Sequence, residues 1–326
     1  MKSSAIAPGF QRCPWCGGST GRLLETVSYE GIFDALVATW HVRISAETRA
    51  AVQPSSATQL FQCDRCGLQV FIPVAPGTPA FYAELTSAMP YHRTRWEFDV
   101  VRDRITAAND VLDLGCGEGD FLRTLGARAG RTVGVDHNIP AVDRLQAAGV
   151  EAVDERIESF AERESSAFDV VTSFHLLEHV SDPRSVISAA ARCLRPGGQV
   201  FLSVPNRDRA FKDALEPLDA PPHHVSRWGA TQFRHLPDDV PLEPVGILFE
   251  PPHLSAVRAS IRIRVEGYLR AAPSQDMRAT LARAVAKVAS GPVRHRRRIA
   301  SGAYTRAGVF GHSMLIELRR TPLVSA

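Results

Sequence analysis

Four of the six cysteines in this 326-residue chain fall into two C-x-x-C pairs, Cys13-Pro-Trp-Cys16-Gly17 and Cys63-Asp-Arg-Cys66-Gly67. Two thiolates at this spacing can reach one ion, and the glycine after each pair frees the backbone for a tight turn. Two such pairs complete a tetrahedral shell of four sulfurs, a closed site with no position for catalysis. The spacing thus predicts a structural metal ion, zinc by preference, on Cys13, Cys16, Cys63 and Cys66. The long gap between Cys16 and Cys63 leaves a redox pair as the alternative.

A second constellation is Val111-Leu-Asp113-Leu-Gly115-Cys116-Gly117-Glu118-Gly119, an apolar run entering a glycine turn that opens a helix. Such a turn lets backbone approach a ligand closely at a strand's carboxyl end. The spacing is not that of a phosphate loop, and the third glycine comes too early for a dinucleotide fingerprint. D-x-G-x-G-x-G after a strand resembles motif I of the class I S-adenosylmethionine-dependent methyltransferases. The resemblance continues in order: Val133-Gly-Val-Asp136 is similar to the second strand with its ribose-binding acid. Phe168 to Pro183 resembles the fourth-strand motif, and Leu194-Arg-Pro-Gly-Gly198 with Val200 to Pro205 the fifth-strand turn. It implies S-adenosylmethionine as cofactor, approached by Asp113, Gly115, Cys116, Gly117, Glu118, Gly119, Asp136, His137, Ile157, Phe174 and His175. Asp136 is the expected acceptor of the ribose hydroxyls. Cys116 and Cys193 read as small packing residues.

Histidines supply the candidate chemistry on the acceptor side. Pro221-Pro-His223-His224 follows the fifth strand, and Glu178-His179 follows the fourth. An imidazole near neutral pKa can take the proton of an attacking hydroxyl or amine, so His179, His223 and His224 are the candidate catalytic residues. Glu178, His179 and His224 could instead hold a divalent metal. Tyr91, Arg95, Trp96, Glu97 and Phe98 stand where the family often caps its cofactor pocket, though an ordinary amphipathic helix fits equally. Arg294 to Arg298 is the single basic run and reads as a solvated helix end or loop, with phosphate binding to an RNA or a nucleotide-linked substrate as the alternative.

The elements that must position these residues follow from the alternation of β-branched runs with helix-length stretches between Asp110 and Pro205. That alternation predicts a parallel sheet with covering helices, and the resemblance implies an α/β fold, Rossmann-like and doubly wound, its seven-stranded sheet mostly parallel. Apolar spacing from Tyr29 to Val42 predicts a helix between the cysteine pairs, and Pro73, Pro76, Gly77 and Pro79 a linker. A small zinc-ribbon module, 1–78, is therefore expected ahead of a methyltransferase domain, 79–326, with a helical insertion around 253–306. Within the last part, strands are expected at Gly246 to Glu250 and Ser313 to Leu318 and helices at Leu254 to Ala271 and Asp276 to Ala289.

Composition narrows the partners. The chain is 44% hydrophobic and 22% charged, which excludes disordered and fibrous classes. All but three of its 38 basic residues are arginine, and a net charge of +3 is too small to imply a polyanion. With 7% aromatic residues, a nucleic-acid partner is disfavoured. No apolar run spans a membrane and no secretory signal is visible at the start, so the expected compartment is cytoplasmic and reducing. The sequence leaves the oligomeric state unread.

A ribbon ahead of this core resembles glycan, sugar and secondary-metabolite tailoring enzymes. The expected function is methyl transfer to a small-molecule, sugar or glycan-precursor acceptor. Zinc-ribbon RNA methyltransferases and a non-catalytic cofactor-binding partner protein are the alternatives.

Overall fold

The computed structural model describes residues 9–88, 95–209, 216–251 and 311–321. The expected helices at 254–271 and 276–289, the insertion they would form, Tyr91 and the basic run at 294–298 lie outside those residues.

The amino-terminal segment holds β1 (Gly21–Ser28), α1 (Tyr29–Trp40), α2 (Ala46–Val52), β2 (Ala57–Cys63) and β3 (Gln69–Ile72). Helix α1 buries Tyr29, Ile32, Phe33 and Leu36, the face expected from its spacing. Ser28 caps it by accepting from Gly31 N. Then come α3 (Pro79–Ala88), α4 (Trp96–Arg102), β4 (Val111–Leu114) and α5 (Asp120–Leu125). The alternation goes on through β5 (Thr132–Val135), α6 (Ile139–Ala147), β6 (Glu151–Val153), α7 (Ile157–Arg163), β7 (Phe168–Phe174), α8 (Pro183–Cys193) and β8 (Leu194–Pro205). The chain closes with β9 (Ser226–Arg227), α9 (Ala230–Arg234), β10 (Leu242–Phe249) and β11 (Ser313–Arg320).

Two sheets result. The larger has seven strands in the order β10-β11-β8-β7-β4-β5-β6, and the pairings from β8 through β6 are all parallel. This is the Rossmann-like sheet expected from the alternation, and β4 is buried at all four residues because helices cover both faces. The order reverses at β4, so the chain leaves a crevice at the carboxyl ends of β4 and its neighbours. The smaller sheet has the order β1-β2-β3-β9, and β9 joins it antiparallel to β3.

By contacts, Met1–Pro205, Leu215–Ile247 and Leu315–Ala326 make one compact unit, and Asn206–Ala214 with Leu248–Met314 a second. In the second, Glu250 accepts from the backbone of His312 and Ser313, and His312 O accepts from Asn206 N.

Candidate active site

The glycine turn leaves β4 with three left-handed residues in a row of alternate positions, Gly115 at φ +71°, Gly117 at +52° and Gly119 at +70°. The three glycines differ in what a side chain would meet. A Cβ on Gly119 would fall 2.3 Å from Leu145 Cδ2, and one on Gly115 would fall 3.0 Å from Leu176 Cδ1. At Gly117 a Cβ would meet nothing within 4 Å. Packing thus fixes the outer two, whereas Gly117 borders open space that a ligand can enter, which is the cradle an adenosyl cofactor needs.

Asp136, one residue beyond β5, braces this turn. Its Oδ2 accepts from Gly117 N at 2.7 Å and its Oδ1 from Asn138 N at 2.8 Å. A carboxylate has about four lone-pair sites, so both oxygens can still receive a ribose hydroxyl. Asp113 is placed otherwise. It is 3% exposed within β4 and accepts from Thr172 Oγ1 of β7 at 2.7 Å. Burial pushes its carboxyl up to about 7 against the pull of that hydrogen bond, with the Asp136 charge adding to the rise.

Cys116 is buried, its thiol pKa raised chiefly by burial, and its sulfur occupies the space above Gly134. It packs against Gly134. Glu118 is exposed and pairs with Arg144. His137 is exposed near Asp154, and Ile157 opens α7 half-buried. Phe174, at the end of β7, meets Phe98 of α4 and Phe121 of α5 at ring-centroid distances of 4.9 and 4.8 Å. Helix α4 thus packs its Phe98 against the carboxyl end of β7.

Beyond Phe174 the chain makes a strained corner. His175 stands at φ +54°, a region that costs a non-glycine residue about 1–3 kcal/mol and that clusters at functional sites. Its Nε2 lies 3.0 Å from Glu97 Oε1 and its Nδ1 lies 3.2 Å from Glu178 Oε1. A ring between two carboxylates donates from both nitrogens. Burial works against its charge, yet the hydrogen bonds to Glu178 and Glu97 prevail and raise its pKa above the ordinary value. In return, despite burial, Glu178 is drawn down to about 2, by the His175 hydrogen bond first.

The three candidate catalytic histidines come together. Glu178 and His179 lie in the short 3-10 turn after β7, and Val225 N donates to Glu178 O, which seats the His223-His224 loop against that turn. His179 Nδ1 is 2.7 Å from His223 O, and Tyr82 OH of α3 donates to the same carbonyl at 3.3 Å. His223 Nδ1 is 3.0 Å from Leu218 O, and His224 Nδ1 is 3.4 Å from Asp219 Oδ1. Burial lowers His179 to about 4, the nearby Glu178 offsetting only part of this, and lowers His223 well below its usual value. Both rings are neutral at pH 7. Tyr82 and Asp219 were not legible in the sequence, since each acts through a contact that carries no spacing signal.

The four cysteines also converge. Cys13 and Cys66 sulfurs are 3.6 Å apart, as are those of Cys16 and Cys63, and all are free thiols. Four sulfurs about 2.3 Å from a tetrahedral ion stand about 3.8 Å apart, and these four all lie within 4.8 Å of one another, so the set can close on one ion. The two turns are equivalent: Gly17 N donates to Cys13 O and Gly67 N to Cys63 O, with Gly17 at φ +72° and Gly67 at +73°. This cluster leans on α9, because Trp15 Nε1 donates to Gln232 O and Gln232 Nε2 to Cys66 O.

Residues 91–245, a little under half of the chain, match the family model described as a methyltransferase domain. This stretch is a methyltransferase domain. It contains the glycine turn, Asp136 and all three histidines. A ubiquinone biosynthesis O-methyltransferase of Pseudomonas aeruginosa is 46% identical over 109 residues, 31% of this chain and 47% of that protein. Its counterpart in Hahella chejuensis is 42% identical over 104 residues, 30% of this chain and 44% of that protein. The chain thus spans about half the length of the curated relatives it matches. Among solved structures, it is similar to a SAM-dependent methyltransferase from Archaeoglobus fulgidus, at TM-score 0.48 and 16% identity over 74% of this chain and all of that one. It is also similar to the phosphoethanolamine N-methyltransferase 2 of Haemonchus contortus, at TM-score 0.44 and 19% identity over 70% and 53% of the two chains. No helix among the described residues is long and apolar enough to cross a membrane.

Proposed function

We propose that the protein transfers a methyl group from S-adenosylmethionine to a hydroxyl of a small molecule, a sugar or a glycan precursor. The observation that carries this reading is the open space at Gly117, bordered by a turn whose other glycines are held by packing, within a methyltransferase domain. The curated relatives, both O-methyltransferases of small molecules, support a hydroxyl acceptor.

In this reading Gly115, Gly117, Gly119 and Asp136 receive the cofactor, together with the flanking Asp113, Cys116, Glu118, His137, Ile157, Phe174 and His175. The bound sulfonium supplies an activated methyl group, so the chain has two tasks, to aim the acceptor in line and to ease the loss of its proton. His179, His223 and His224 stand on the acceptor side and serve the second task. The Cys13, Cys16, Cys63 and Cys66 cluster holds a structural zinc, in a ribbon module spanning 1–78 ahead of the methyltransferase domain at 79–326. Six free cysteines suit a reducing cytoplasm.

The test is transfer of labelled methyl from S-adenosylmethionine to a panel of phenolic and sugar hydroxyls. Label in at least one acceptor, lost in Asp136→Ala, supports the reading. Absence of cofactor binding by calorimetry overturns it.

A further inference from the structure

Three imidazoles crowd together beside β7. The His179 ring lies 4.8 Å from both His223 and His224, centroid to centroid, and those two rings are 4.3 Å apart. One ring nitrogen from each lies within 4.8 Å of its counterparts. Grouping polar rings in a nearly closed interior costs the hydration of every nitrogen, which apolar side chains of the same size would not lose.

The anchoring of the rings gives the cluster a direction. Two rings donate to a carbonyl through Nδ1, His179 to His223 O and His223 to Leu218 O, and His224 Nδ1 faces Asp219 Oδ1 at 3.4 Å. Metal-ligating histidines are held in just this way, one ring N–H fixed by a carbonyl or carboxylate so that the other nitrogen presents its lone pair. A second observation points to the same place. Glu178 is 1% exposed, its Oε1 lies 4.0 Å from His179 Nε2, and its Oε2 has no hydrogen-bond partner among the described residues. A buried carboxylate oxygen without a donor is costly, and a cation alongside is one of the few remedies.

We infer that His179, His223 and His224 form a binding site for a first-row divalent transition-metal ion, with Glu178 as the buried negative charge beside it. Imidazole donors favour zinc, cobalt, nickel or iron(II) over magnesium and calcium, which prefer oxygen shells. Three nitrogens about 2.1 Å from a tetrahedral ion stand about 3.4 Å apart, so the rings need close by little more than an ångström. The site is distinct from the four-thiolate cluster, which is a closed shell. Three neutral ligands leave the ion its full charge and an open position, and an ion in that state acidifies a hydroxyl bound to it. That last consequence rests on the methyl-transfer reading; the binding of the ion does not.

The test uses the full chain with its cysteine cluster filled by one equivalent of zinc and excess metal removed. Cobalt(II) is then titrated in without cofactor or acceptor. One further equivalent is expected to bind, with visible d–d bands and no sulfur-to-cobalt charge-transfer band in the near ultraviolet. His224→Gln and His223→Gln should abolish it. Asp219→Asn, which keeps all three ligands and removes only an outer partner, should weaken it about 10–100-fold. Failure to bind a further equivalent, cobalt appearing only with the sulfur band, or unchanged affinity in both Asp219→Asn and His224→Gln would each overturn the assignment. Labelled-methyl transfer by metal-free protein would refute the consequence for catalysis and leave the ion site standing.

Discussion

Trp15 and Trp228 meet edge to face, their ring centroids 5.0 Å apart and their planes at 90°. One ring stands between two cysteines and the other follows β9 by a single residue, so a contact across most of the sequence ties the thiolate cluster to the loop carrying His223 and His224. Phe233 completes the group, stacked on Trp228 at 5.2 Å.

The first prediction follows from that tie. Trp15 is wholly buried, so Trp15→Ala should cost about 3–5 kcal/mol of stability, read from denaturant unfolding. Because the loss is felt at β9, turnover should fall further than cofactor affinity. Chelating the ion proposed for the thiolate cluster should produce the same split, and equal losses of both would argue that the cluster does not brace the histidine loop.

The glycine turn gives a contrast between two substitutions of the same kind. Gly119→Ala drives a methyl into Leu145 and strains φ, so it should both destabilise the fold and weaken cofactor binding. Gly117→Ala meets no neighbour and pays only for its φ of +52°, about 1 kcal/mol or a little more. Its methyl nevertheless enters the space assigned to the cofactor. Calorimetry should find S-adenosylmethionine affinity lowered in Gly117→Ala while the melting temperature shifts by a few degrees. Unchanged affinity would remove the cofactor from this cradle.

Much of this was legible because buried parallel strands read as short apolar runs between turn residues. Val111 to Leu114 and Phe168 to Phe174 appear at the expected positions, and α8 starts at Pro183 as first-turn proline allows. Other elements left no such mark. β6 has three residues, β9 has two, and β1 exposes Leu23 and Leu24, so none offers a hydrophobic period to read. The expected strand at Gly246 to Glu250 begins earlier, at Leu242, since an outer strand carries less of the apolar signal. The histidines were visible by type, but the contact between Tyr82 and His179 joins residues 97 apart, and only the fold makes it.

A pH dependence follows from Asp113. Its carboxyl sits near 7 when folded and near 3.8 when unfolded. Between those values the folded state holds a proton that the unfolded state has released, so this group's contribution to stability is full below the lower value and declines as pH rises toward the higher. Asp113→Asn keeps an acceptor for Thr172 without a charge to bury. The stability of the variant relative to the parent should therefore grow from pH 4 to pH 7.5 in denaturant titrations. A constant difference across that range would mean that Asp113 is ionised in the folded protein.

The last prediction concerns turnover. His179 and His223 are held neutral by burial, so neither ring needs to lose a proton before it can serve as an acceptor or a ligand at pH 7. His224 is the ring oriented by a carboxylate, Asp219, which is the arrangement that fixes an imidazole for proton transfer or for coordination. Replacing His224 with alanine should lower turnover by about two to four orders of magnitude while cofactor affinity is retained, since the cradle at Gly117 lies on another loop. His179→Ala gives the comparison. Its ring also holds the His223 carbonyl together with Tyr82, so its loss should add a fall in melting temperature to the fall in rate. If both variants kept full activity, the acceptor would need no help with its proton, and catalysis would reduce to holding an already nucleophilic group in line with the methyl.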